Sequence, residues 1–190
     1  MGATAVIALG MFTSWGTHRL TLGALVGALA AAALVYLISM AQGGMTPLRL
    51  VLSGVVLSSA FSALASFLVF RSPDPRAAQS VLFWMLGSVA GATWDSLWVA
   101  ALVTVVIAVL MIAFSGWLDA LAAGTDVARS LGIPDTRVRK ALFVGSSVLV
   151  GVLVAVSGGI GFVGLVIPHM ARLLVGASHR SMLPIAAAVG

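Results

Sequence analysis

Residues able to do chemistry are scarce in this chain of 190 residues. Cysteine is absent, which removes disulfides, thiolate zinc sites and Cys nucleophiles, and all five acidic residues are Asp. The one lysine, Lys140, follows Arg139, and no G-x-x-x-x-G-K-[ST] run exists to cradle a nucleotide's phosphates. No pair of carboxylates falls within an apolar stretch, as a carrier driven by buried acids would require. No Ser, His and Asp are placed as a hydrolytic set. What remains is His169 and Arg172, one helical turn apart and just after Pro168. An ionisable group inside an apolar segment is a functional hypothesis by default. A lone imidazole, however, is a poor metal site. Its expected role is a hydrogen bond to the backbone carbonyl that Pro168 leaves without a donor. Neither a catalytic residue nor a metal site is expected.

These residues sit in a chain that is 61% apolar and 8% charged, against about 25% charged in an average soluble domain. Ten basic and five acidic side chains give a net charge of +5, and the mean hydropathy is +1.18. So few charges cannot cover a soluble globule. A pI near 11.5 does not point to nucleic acid either, because the cations are too few and too scattered to track phosphates. The expected fold class is all-α, a polytopic membrane helical bundle. A spanning helix needs about 20 largely apolar residues. Leu20–Ala41, Leu48–Phe70, Leu97–Phe114 and Ala141–Ser157 meet or approach that length. Phe162–Val175 is shorter, carries Pro168, His169 and Arg172, and crosses only if other helices shield it. Met1–Phe12 and Leu183–Gly190 are apolar but too short, and Met1 lacks the charged start of a signal peptide. Residues 1–190 are therefore expected to form a single membrane domain cut at both ends.

If all five stretches cross, Arg19, Arg71 and Arg76 share one side. Arg49, Arg129, Arg137, Arg139, Lys140, Arg172 and Arg180 share the other, and seven cations against three place that set in the cytoplasm. Without a crossing at Phe162–Val175, Arg180 changes side and the split falls to six against four. Ala77–Ala92, broken by Gly87 and Gly91, is expected to be an outer-side helix or re-entrant element.

Three patterns stand out. Gly54, Ser58, Ser62 and Ser66 recur every four residues along the second span, as Gly23 and Gly27 do in the first. Such a stripe fits close helix packing or a polar face along a translocation path, and spacing alone does not separate the two. The polar loop Gly116–Lys140 predicts a short amphipathic helix, with Thr125 as its N-cap, Gly132 closing its turn and Pro134 preventing continuation. It is either a solvated loop anchored by Arg137, Arg139 and Lys140 or a grip for a cytoplasmic partner. Finally, Gly158, Gly159, Gly161 and Gly164 form a flexible turn where backbones can approach closely, ahead of Pro168, His169 and Arg172.

The run GGIGFVGLVIPHMARLLVGASHRSMLP resembles the signature of the FecCD family, permeases of bacterial ABC importers for iron-siderophore complexes, haem and cobalamin. VLFWMLGSVAGATW is similar to that family's outer-side segment, and LDALAAGTDVARSLGIPDTRVRK to its cytoplasmic coupling loop, in the same order along the chain. The resemblance implies part of a ten-helix permease in the inner membrane, which pairs with a second copy or a homologous permease. It also implies two cytoplasmic ATPase subunits carrying ATP and Mg, and a periplasmic or lipoprotein binding protein. This chain would bind lipid but no cofactor. The ATPase contact implied is Leu118–Arg137, centred on Asp126, Ala128, Arg129, Leu131 and Gly132. The inner gate would lie at Met45, Thr46, Pro47 and Leu48, with Ser58, Ser62 and Ser66 along the path. Gly159, Gly161, Gly164, Pro168, His169 and Arg172 would be structural signature residues. Ala77–Trp94 would border the binding protein, and the FWMLGS segment reads closest to the siderophore branch. A secondary carrier or channel, or a remnant that transports nothing, are the readings from other classes.

Overall fold

A computed structural model describes residues 3, 6, 17–41, 43, 46–71, 75–90, 92 and 94–190. Met45, Gly91 and most of Met1–Phe12 lie outside the described residues. The elements are helices throughout: α1 Thr17–Ala41, α2 Pro47–Arg71, α3 Pro75–Leu86, α4 Trp94–Ala113, α5 Ser115–Ala123, α6 Thr125–Ser130, α7 Asp135–Ser157, α8 Val163–Val175 and α9 His179–Val189. No strand occurs among the described residues.

Among the described residues three helical stretches are long and apolar enough to cross a membrane: Leu22–Ala41, Pro47–Arg71 and Asp135–Ser157. A fourth arises if Leu97–Ala113 and Ser115–Ala123 are taken as one span broken by a 64° bend. The bend sits at Phe114, whose ring lies against Trp117 with centroids 5.2 Å apart. The 13 residues of α8 reach only about 20 Å at 1.5 Å per residue, short of a hydrocarbon core of about 30 Å. Phe162–Val175 is thus, as its sequence suggests, too short to cross by itself. Without α8 the cation count is six against four, too even to orient the chain. The outer segment is also shorter than expected: α3 ends at Leu86 and a turn follows.

The chain divides into two compact units. The first comprises residues 1–100 and 147–160, the second residues 101–146 and 161–190. In the first, α1 and α2 pair, and Ala3 and Ala24 are buried with Ala28, Trp84, Val154 and Ala155 around them. Gly151 of α7 lies close against α1, where an added Cβ would come within 3.2 Å of Leu25 Cδ1. In the second unit Ala120, Ala128 and Ile133 form the core with Leu121 and Val138, and α8 pairs with α9. The buried set is mostly Ala and Ser, while Val51, Val55, Leu102 and Leu165 face outward. That inversion of a soluble protein's pattern is what lipid permits. Apolar surface gains nothing by leaving lipid tails, so small residues that allow close approach mark the helix contacts.

Candidate functional site

The Gly116–Lys140 loop is held by several specific polar contacts. Two short helices, α5 and α6, fold back on each other around Gly124, whose φ of 132° no other residue type adopts without strain. Gly124 therefore serves as C-cap of α5 and N-cap of α6 together. This corrects the expected N-cap: Thr125 is the first helical residue, and its hydroxyl instead accepts a hydrogen bond from Arg139 Nη2 at 3.2 Å. The far end of α6 closes as the sequence suggests. Gly132 is left-handed (φ 73°) and donates to the Arg129 carbonyl at 2.9 Å, and Ile133 donates to the Ala128 carbonyl at 2.9 Å. Those two bonds are the Schellman pattern, and its apolar contact is present too, since Ile133 and Ala128 are buried together.

The turn fixes what the loop presents. Ala128 is fully buried, so it offers no side chain to a partner, a correction to its expected place on a contact surface. Arg129 is not free either. Its Nε and Nη2 face Oδ1 and Oδ2 of Asp135, each at 3.3 Å, a forked pair that ties α6 to the start of α7. Asp126, Val127 and Leu131 face outward, the last 65% exposed, and the paired Arg129 side chain stays 62% exposed. Val127 and Leu131 are four residues apart and so share one face of α6. Val127 lies within the expected contact Leu118–Arg137 but was not among the residues it was centred on. Beneath this module, where α4, α5 and α7 converge, is a cavity of about 270 Å³ lined by Met111, Phe114, Trp117, Leu118, Val138 and Leu142 among others.

A second link escaped the sequence altogether. Asp119 of α5 reaches the start of α9, 60 residues on, where its Oδ1 accepts the His179 backbone N–H at 2.9 Å and also meets His179 Nδ1. Its Oδ2 accepts the Ser178 hydroxyl at 3.5 Å. The hydrogen bond from the His179 backbone N–H, then that from its imidazole, holds the Asp119 carboxyl below its ordinary value of 3.8. The only signals in the sequence are a carboxylate in an otherwise apolar helix and a Ser-His pair opening another.

The glycine run and the outer segment, singled out separately, meet in the first unit. Gly158 (φ 74°) packs so closely that an added Cβ would lie 2.5 Å from the Trp84 carbonyl oxygen and 3.0 Å from Gly87 Cα. Gly87 (φ 70°) is crowded in return by Gly159 and Ile160, and Ser88 N–H donates to the Ser157 carbonyl at 2.7 Å. The other signature glycines differ. An added Cβ at Gly161 or Gly164 would meet nothing within 4 Å, and at Gly159 only the Met85 carbonyl at 3.7 Å. His169 and Arg172 are exposed, and His169 makes no hydrogen bond to the described residues, so the expected bond to a freed carbonyl is not formed.

At the expected gate, Thr46 Oγ1 accepts the Arg49 N–H at 3.4 Å and Pro47 opens α2, an N-cap followed by proline at the first helical position. Arg49 lies over Gly43, and Leu48 is exposed. Along α2, Ser58 and Ser62 are half-buried and Ser66 is exposed, and Gly54 has open space where a Cβ would stand. Gly54 is thus not a close-packing position within the described chain.

Comparison with known proteins gives one consistent result. The model of the FecCD transport family matches residues 1–190. The cobalamin import system permease protein BtuC of Halobacterium salinarum is 35% identical over 190 residues, covering 100% of this chain and 50% of that protein. The iron(3+)-hydroxamate import system permease protein FhuG of Bacillus subtilis is 35% identical over 178 residues, covering 93% of this chain and 52% of that protein. A solved structure described as an inward-facing conformation of a metal-chelate type ABC transporter superposes with a TM-score of 0.89 at 33% identity. That match covers 99% of this chain and 60% of the solved one. The chain spans about half the length of these curated relatives.

Proposed function

The chain belongs to the FecCD transport family, and from that premise we propose that it acts in the permease subunit of an ATP-driven, binding-protein-dependent importer of a metal chelate, a ferric siderophore first. It works in the cytoplasmic membrane, paired with a second permease copy or a homologue. Two ATPase subunits carry ATP and Mg, and a binding protein delivers the cargo. The observation that carries this reading is the α5–α6 module. Its Schellman turn, its forked Arg129–Asp135 pair and its buried Ala128 hold Asp126, Val127 and Leu131 outward as a stiff knob. A solvated loop has no need of such rigidity, whereas a handle for a motor does.

The physical division of labour follows. Free energy comes from nucleotide chemistry on the ATPase, since this chain carries no P-loop. The ATPase grips α6, and the module moves as a body because its internal links are short. The permease turns that displacement into rearrangement of α2 and the gate at residues 45–48. The relatives named above are called permeases for cobalamin and for iron(3+)-hydroxamate, both bulky chelates. A cargo of that size needs a wide path rather than metal ligands, and no group of three His, Cys, Asp or Glu that could hold a metal occurs among the described residues.

Uptake of labelled ferric hydroxamate, haem and cobalamin by cells carrying the full-length gene, with and without its ATPase, tests this reading. ATPase-dependent uptake of the ferric chelate is the expected result. Uptake that persists without the ATPase would make the protein a secondary carrier or channel. No uptake of any of the three would make it a non-transporting remnant.

A further inference from the structure

Helix α9 begins with a local deficit. The first backbone N–H groups of any helix have no intrahelical acceptor, and a Ser at the N-cap ordinarily supplies one. Ser178 occupies the N-cap of α9 with extended backbone angles, yet its side chain makes no capping bond. Instead it donates to Asp119 Oδ2, and the first N–H of the helix, that of His179, donates to Asp119 Oδ1. The cap of α9 is thus supplied by α5. A carboxylate is well suited to the task, because its charge also complements the positive end of the helix dipole. Its partner is sheltered: the His179 side chain is 18% exposed.

This connection differs in kind from the rest of the α5–α9 contact. Apolar helix faces can slide over one another at little cost, whereas a carboxylate bonded to one backbone N–H fixes both distance and direction. Helix α9 in turn pairs with α8, the helix bearing Pro168, His169 and Arg172.

We propose that Asp119 is a positioning residue that ties the loop to α9, so that a displacement of α5–α6 is passed to the α8–α9 hairpin through the borrowed cap. This inference rests on the reading of the loop as the ATPase grip. It adds a second output of the stroke, separate from α2 and the gate.

Residues 1–190 contain no cysteine, so thiols introduced in this segment have no competitor within it. The full-length permease is assembled with its ATPase and binding protein in liposomes, and two quantities are read: retention of the ATPase on the purified permease, and stimulation of ATP hydrolysis by the binding protein. Asp119→Ala is expected to lose at least fivefold of the stimulation per ATPase retained. Asp119→Asn, whose side-chain oxygen still accepts the N–H, falls between. In the double variant Asp119→Cys, His179→Cys, a short bis-methanethiosulfonate bridge restores stimulation that the unbridged thiols lack. Merely structural loss of a cap is not reversed by such a bridge after assembly. Full stimulation in Asp119→Ala, or a bridge that abolishes stimulation, would overturn the proposal. If Asp119→Ala fails to assemble, the bridged and unbridged double variant and Asp119→Asn still decide. A wild-type permease that retains no ATPase would instead sink the reading of the loop itself, and the tie with it.

Discussion

Gly132 allows conformation to be separated from crowding. It is left-handed at φ 73°, and an added Cβ there would meet nothing within 4 Å, so any penalty of substitution comes from the backbone alone. A left-handed conformation costs an ordinary L-residue about 1–2 kcal/mol, while Asn visits it more readily. Proline locks φ near −65° and removes the N–H that donates to the Arg129 carbonyl, and a penalty of about 3 kcal/mol is the usual scale. One or two kcal/mol changes a population about 5- to 30-fold. The expected series is therefore Asn close to wild type, Ala with the closed turn depopulated several-fold, and Pro without it. Loss of the turn withdraws Ile133 from Ala120 and Ala128 and frees Leu131 from its fixed direction. Retention of the ATPase on purified full-length permease should fall in the order Gly, Asn, Ala, Pro, with membrane insertion unchanged on immunoblots. Equal loss for Asn and Pro would mean that the partner packs on the bare glycine itself. Wild-type retention by Gly132→Pro would refute the turn as the source of the loop's shape.

The glycine run offers a contrast: Gly158→Ala, aimed at a carbonyl oxygen 2.5 Å away, should lower the melting temperature clearly in detergent, whereas Gly161→Ala, with open space, should not; similar shifts for both would contradict the close approach. Asp119 sets a pH window. Its folded carboxyl titrates below 3.8, so the stability it adds is complete above that value and is lost as pH falls through the lowered one. The gap in melting temperature between wild type and Asp119→Asn should then be flat from neutral pH to about 4 and close below it, and a gap already closing at pH 6 would count against the assignment. Arg129→Glu places two carboxylates face to face at Asp135 and should weaken ATPase retention, while Arg129→Gln does so less; retention unchanged in both would remove the fork from the mechanism. Leu at Ser58 or Ser62, both half-buried on α2, should cut uptake more than it cuts membrane abundance, and equal losses would favour plain packing over a path.

How much of this was legible depends on the range of the interaction. Spans are written as long apolar runs, and the end of α6 is written in Leu131-Gly132-Ile133-Pro134, because a Schellman turn is made by neighbours in sequence. Thr125 was misread since the local pattern of a capping hydroxyl competes with a neighbouring glycine. Gly124 can end one helix and start the next in a single strained φ, and no spacing rule announces that. His169 follows the same logic: a proline frees a carbonyl, but nothing local obliges the next side chain to turn back to it. The four glycines of the run look alike in sequence, yet only at Gly158 would an added Cβ collide with another backbone, because its partner Gly87 lies 71 positions earlier. Asp119 was invisible for a similar reason. A helix capped by a side chain 60 residues away leaves no motif at either end.

Those non-local links matter more here than they would in a soluble domain. Water drives apolar faces together and thereby sets much of a soluble fold, but lipid tails are as apolar as leucine and give no such push. The position of one membrane helix against another must then come from close approach at small residues and from a few directed polar bonds. Both kinds occur among the described residues. Close approach is made at Gly151 against Leu25, and at Gly158 against Trp84 and Gly87. Directed bonds join His179 to Asp119, Arg129 to Asp135 and Arg139 to Thr125 in the second unit, and the Ser88 N–H to the Ser157 carbonyl in the first. Contacts of close approach weaken sharply once atoms separate by an ångström, and a directed bond fixes distance and direction together. The large outward-facing side chains such as Val51, Val55 and Leu165 should therefore tolerate apolar replacement where Gly158 and Asp119 do not.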